Sequence, residues 1–192
     1  MINKRLLIKN LLAYNDENSF YDKKVQLNLD SKEGKAKFLK HVCALSNSNP
    51  TNNSYIVVGI EDETNKIIGV DFYDDSKIQN LVNAYFENPP KIQYENIAFP
   101  RLPRHKVIGL VTINPNKKVT SLKKNIWKYP KNTKFLRQGS NSKPVQNIVL
   151  KNTNKSIVES IEKNARNNIE LTLNGVFDFI KQHKKELHPT YK

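Results

Sequence analysis

Tyr55 to Ile60 is an unbroken apolar run of Tyr, Ile, Val and Gly. A run this short and β-branched reads as a strand covered on both faces, since a half-exposed strand would alternate with polar residues. The chain must then offer apolar helices to cover it. Phe38, Val42 and Leu45, widened by Leu39, line one face of a segment running to about Ser46. Ile78, Leu81, Val82, Tyr85 and Phe86 recur at i, i+3, i+4, i+7 and i+8, the stripe of an amphipathic helix.

The punctuation agrees with this pattern. Asp30 stands three residues before Glu33, a capping-box spacing that predicts a helix start. Asp74 or Asp75 caps the second helix, and Pro89 and Pro90 end it. Leu6, Leu7, Leu11 and Leu12 predict a short helix over 3–14. Val25, Leu27 and Leu29 alternate with Gln26 and Asn28, which predicts a strand over 24–29. Residues 61–65 turn the chain, and 66–70 return as the second strand of a hairpin. Further strands are expected over 92–99 and 107–113, with short ones at 126–129 and 135–137. Ser156 and Glu159 form another capping box, and Leu173, Val176, Phe177 and Ile180 predict a last helix over 169–187. The expected fold is α+β: a mixed or antiparallel sheet with packed helices over 1–150, and a helical C-terminal extension over 151–192.

The 192 residues leave room for one domain of ordinary size, and 38% hydrophobic residues suffice for a core. One cysteine excludes an internal disulfide framework. No stretch approaches the roughly 18 apolar residues of a membrane span. The N-terminus lacks the apolar core and cleavage site of a signal peptide. The expectation is a soluble, cytoplasmic protein with no membrane partner.

Charge separates this chain from a generic α+β domain. Its 32 basic and 18 acidic residues give a net charge of +14. Lysine and asparagine richness is what an AT-rich genome writes everywhere, but it does not decide where the acids go. Residues 96–158 hold 14 basic side chains and no acid, whereas residues 1–95 hold 12 and 13. The whole excess lies in one stretch. A one-signed surface attracts a polyanion by releasing its counterions. Nucleic acid is the expected partner. RNA is favoured over DNA, because no recognition helix carries the basic residues while strands and turns do. A ribosome-associated role follows by analogy with other small lysine-rich proteins.

Four pieces, in order, carry a family resemblance. They are Val25-Gln26-Leu27-Asn28, Ala44-Leu45-Ser46-Asn47, the stretch from Tyr55 to Asp62 with Ile68-Gly69-Val70, and Phe135-Leu136-Arg137-Gln138-Gly139-Ser140-Asn141. Across about residues 15–150 the chain resembles the Schlafen/AlbA-like DNA-binding domain family. The resemblance implies an α+β fold and nucleic-acid contact. It also implies a test for catalysis. Nuclease-active members carry two acids in a Glu-x4-Glu-Phe-Lys stretch and an Asp after the Gly-Val strand, because a divalent metal needs clustered oxygen ligands. In the register above the two Glu places fall on Tyr21 and Gln26 and the Lys place on Asn28, leaving Asp62, with Glu61 beside it, as weak catalytic candidates. A shift of a few residues would bring in Asp16, Glu17, Asp22 or Asp30. The bland reading of Glu61 to Glu63 is a solvated acidic turn. No phosphate-cradling Gly-x4-Gly-Lys motif supports ATP binding. His41 and Cys43, two apart on a helix, diverge and make no metal pair. No cofactor or metal is expected.

The candidate nucleic-acid contacts are Arg101, Arg104, Lys117, Lys118, Lys123, Lys124, Trp127, Lys128, Lys131, Lys134, Arg137 and Lys143. The lysines would meet phosphates rather than read bases. Arg137 is either a bidentate phosphate clamp or a structural arginine bonded across the sheet to a carboxylate such as Asp62. Trp127 either stacks an unpaired base or belongs to the core. The leading reading is non-catalytic nucleic-acid binding. Its rivals are a metal-dependent endoribonuclease with a shifted acidic site, and a module that docks a protein partner through the C-terminal helices.

Overall fold

A computed structural model describes residues 2–13 and 17–166. The apolar run becomes β2 (Ser54–Val58), buried throughout. It sits inside a four-stranded sheet between β1 (Tyr21–Lys24) and β5 (Ile108–Ile113), with β4 (Ile92–Ile97) on the far edge. β1 and β2 are parallel, with Asp22 opposite Ile56, and the other pairings are antiparallel. The parallel pair needs a crossover, which α2 (Lys32–Ser48) provides.

Strand alternation sorts the side chains into two cores. Ile56, Val58 and Val111 face α2 and α3 (Asp75–Tyr85). Tyr55, Val57 and Leu110 face α1 (Lys4–Ala13) and α4 (Lys155–Asn164), whose Leu7, Ile8, Leu11, Val158 and Ile161 seal the second side. β3 (Phe86–Glu87) pairs with β6 (Ser121–Leu122). The hairpin of β7 (Lys134–Gln138) and β8 (Asn141–Val145) lies across α2 and buries Phe135.

Several expectations move. The strand expected over 24–29 runs over Tyr21–Lys24 instead, because its ladder partner turns away at Gly59, where φ is +100°. The N–H groups of Gly59 and Ile60 both close on the Lys24 carbonyl, and Val25 onward has no strand left to pair with. The return strand over 66–70 reduces to isolated bridges. Gly59 and Gly69 pass so closely that a Cβ on Gly59 would lie 2.9 Å from the Gly69 Cα. Ser31, not Asp30, caps α2 through the Gly34 N–H, and Asp74 caps α3 through the Ser76 N–H. The segment 126–129 is a tight turn instead of a strand. Asn154 precedes α4 without a side-chain cap, and Ser156 lies inside the helix instead of opening a capping box with Glu159. It packs on the main body, where Glu162 accepts from the Tyr55 hydroxyl and from the Asn53 amide. The helix expected over 169–187 lies outside the described residues, as do Tyr14 and Asp16. No described helix is long and apolar enough to cross a membrane.

Candidate nucleic-acid interface

β7 and α2 meet over Asn47. Its amide donates to the carbonyls of Thr120 (2.9 Å) and Phe135 (3.0 Å), and its carbonyl accepts from the Thr120 N–H (2.8 Å). That brace aims Arg137 inward, between α2 and β1. Arg137 Nη2 lies 2.8 Å from Asp22 Oδ1 and 3.3 Å from Glu17 Oε2. Its Nε donates to the Asn18 carbonyl at 2.6 Å, and its Nη1 lies 3.2 Å from His41 Nδ1. Lys24 closes the cluster, 2.9 Å from Asp22 Oδ2 and 3.5 Å from Glu17. The side chains of Asp22 and Arg137 are both 0% exposed.

Burial opposes an ionised Asp22, but the surrounding His41, Arg137 and Lys24 outweigh it and hold the carboxyl at about 2. Burial pushes His41 down to about 3, so its ring is neutral at physiological pH and Nδ1 accepts from Arg137. Arg137 and Lys24 therefore carry the neutralisation of Asp22 there. Glu17 is pushed up by burial and by the neighbouring Asp22.

This geometry corrects two expectations. The Arg137 guanidinium is spent inside the protein rather than offered to a phosphate, and its carboxylate partner is Asp22 rather than Asp62. The acids also fall in a different register. Glu17-x4-Asp22-x-Lys24 reproduces the acid-x4-acid-x-Lys spacing four residues before the places assigned to Tyr21, Gln26 and Asn28. The signal was present in the chain, but the alternation of Val25, Leu27 and Leu29 outweighed a polar Tyr-Asp-Lys-Lys strand.

These residues do not fit a divalent metal. The Asp22 oxygens face a guanidinium and an ammonium. Lys23, on the opposite face of β1, donates to the Asp62 carbonyl, while the Asp62 side chain points to solvent. Glu61 accepts from the Thr64 hydroxyl in the same exposed turn. Among the described residues no three His, Cys, Asp or Glu side chains are placed to share an ion. Cys43 is buried, and burial raises its thiol to about 12.

The basic residues divide. Lys117, Lys118, Lys123, Lys124, Lys128, Lys131 and Lys143 are exposed on the loops and strands that follow β5, and Lys134 is half-buried. Arg101 and Arg104 are exposed in the β4–β5 turn, at the opposite end of β5 from Lys117. Two lysines of α2 outside the acid-free stretch, Lys40 and Lys37, lie beside the first group, with Lys37 paired to Glu33 at 2.7 Å. Burial lowers the Lys40 ammonium, and Lys24, Lys128 and Lys37 are close enough to lower it further, against the pull of Asp22. Lys24 and Lys37 also line a cavity of about 170 Å³ between β1 and α2, beside Asp22 and His41. Lys37 and Lys40 are one turn apart on α2, a spacing visible in the chain.

The fold is thus an α+β domain with a mixed sheet, an internal ion cluster and a lysine-dense outer face. The chain belongs to the family described as Schlafen, AlbA_2, whose match spans residues 17–146. That membership suggests a nucleic-acid-related function. Residues 156–192 match a second description, "Domain of unknown function (DUF5929)". No curated protein matches the chain. Among solved structures it is similar to the DIP2311 protein from Corynebacterium diphtheriae, at 15% identity and a TM-score of 0.48, over 74% of this chain and 26% of that one. The chain thus spans about a quarter of that protein's length.

Proposed function

We propose that this protein binds RNA through its phosphate backbone, without cleaving it, on the face that carries Lys123, Lys124, Lys128 and Lys131 together with Lys37 and Lys40 of α2. The acid-free stretch of 14 basic residues carries the reading. The internal cluster adds support, since Glu17 and Asp22 are turned inward and do not offset the outer lysines. RNA is favoured because α2, the helix that carries Lys37 and Lys40, is overlaid by the β7–β8 hairpin and offers no free rod to a major groove. The face suits a large RNA particle such as a ribosome.

The test is anisotropy of labelled single-stranded and duplex RNA over a salt series, with the full chain and with Lys123, Lys124 and Lys128 reversed to Glu. Reversal should weaken every sequence alike. It should also flatten the log–log salt slope, by about 0.7 per lost contact for single strands and about 0.9 for duplex. Unchanged affinity and slope would place the site elsewhere. Cleavage appearing with Mn²⁺ would overturn the non-catalytic part of the reading. Co-sedimentation with ribosomal particles, collapsing after RNase, tests the target.

A further inference from the structure

Trp127 sits where a tryptophan is costly. The N–H and carbonyl groups of Ile126 and Tyr129 exchange hydrogen bonds at 2.9 Å, closing a two-residue turn with Trp127 and Lys128 at its tip. Trp127 has φ +50°, a left-handed conformation usually left to Gly or Asn at such a position. Backbone strain of this kind persists only where the surroundings hold it. Here an aromatic ladder does so. Trp127 meets Tyr129 edge-on at 5.8 Å, and Tyr129 meets the buried Phe135 edge-on at 5.0 Å. The indole is thereby fixed in place, yet it remains 44% exposed. The Lys128 ammonium lies 4.3 Å from its ring centroid. Packing alone does not explain this arrangement, since a core residue would be covered and a surface turn would use Gly.

We infer that Trp127 is a preformed stacking platform for one unpaired nucleobase, with Lys128 and the neighbouring lysines of α2 taking the attached phosphate. A base that displaces the ammonium from the ring leaves it beside the ligand's own phosphate, so a cation–π contact is exchanged for an ion pair. Stacking tolerates any base, because every base has a π face. The surface then prefers single-stranded or looped RNA to a continuous duplex. This inference rests on the proposed RNA-binding function and adds what part of the RNA is recognised.

Trp127 is the chain's one tryptophan, so indole fluorescence reads this site and no other. The full chain is titrated with labelled uridylate dodecamer, with a blunt duplex of equal length, and with inorganic polyphosphate, which has charge but no bases. Indole emission and probe anisotropy are read for the oligonucleotides, and displacement of the labelled dodecamer for polyphosphate. The dodecamer should quench the indole; the duplex and polyphosphate should bind without doing so. Trp127→Gly, which suits the left-handed backbone, should weaken dodecamer binding about tenfold, the order expected for one lost stack. Trp127→Phe should retain most of the affinity. Dodecamer binding without quenching, equal quenching by duplex, or wild-type affinity in Trp127→Gly would overturn the platform and leave backbone binding standing. Failure of all three probes to bind would overturn backbone binding and the platform together.

Discussion

Replacing Arg137 with Met should act on stability first. The substitution keeps much of the apolar stem and removes every donor. It leaves Asp22, 0% exposed, with Lys24 as its one close cation and a neutral His41 beside it. It also strips partners from the carbonyls of Asn18 and Tyr21. Breaking one side of a buried ion pair costs about 3–5 kcal/mol, because the remaining charge is stranded. Domains of this kind have about 5–15 kcal/mol in total. With a urea m-value of about 2 kcal/mol/M, a loss of about 4 kcal/mol moves the midpoint by about 2 M. Far-UV circular dichroism through a urea series measures it. Asp22→Asn in the same background removes the stranded charge. The double variant should then be more stable than the sum of the two single losses predicts, by about 2 kcal/mol or more. Below the transition, where the single variant is still folded, its RNA affinity should match wild type. A midpoint shift under about 0.5 M, or strictly additive losses, would refute the buried-pair reasoning. Intact stability with lost RNA affinity would restore Arg137 as a phosphate clamp.

Two further predictions concern the same scaffold. His41 is held at about 3 in the folded protein against an ordinary 6.5. A depressed imidazole favours the fold above pH 6.5, and that contribution drains as pH falls from 6.5 toward 3, by up to about 1.4 kcal/mol per pH unit. Urea midpoints between pH 6.5 and 4.5 should fall in wild type and flatten in His41→Asn. Asp22 enters only below its ordinary 3.8. The raised Glu17 opposes the slope near the acidic end, so the difference between the two proteins is the readout. Parallel curves would show that His41 does not titrate on unfolding. Asn47→Ala removes both partners that close the α2–β7 brace, and three hydrogen bonds with buried groups left behind should cost about 3 kcal/mol by calorimetry or urea. A loss below about 1 kcal/mol would mean that water replaces the amide.

Apolar periodicity made the layers legible, and polar residues hid the centre. Tyr55 to Ile60 and the stripe from Ile78 to Phe86 became a central strand and a core-facing helix because burying them dominates any local preference. β1 escaped because it reads Tyr-Asp-Lys-Lys, and its ion cluster joins the nearby Glu17 and Lys24 to His41 and Arg137, which lie 19 and 115 residues away from Asp22. Linear spacing carries no record of such partners. Charge counting was affected in the same way. Residues 1–95 sum to near neutrality, yet Glu17 and Asp22 are consumed inside by Arg137 and Lys24, while Lys37 and Lys128 crowd Lys40. The acid-free stretch also contributes a cation that never reaches the surface, Arg137, and an arginine pair, Arg101 and Arg104, at the far end of β5. A polyanion meets a surface rather than a segment. The fold builds that surface by sending two acids, Glu17 and Asp22, and one arginine inward together, so neither of these acids offsets the outer lysines.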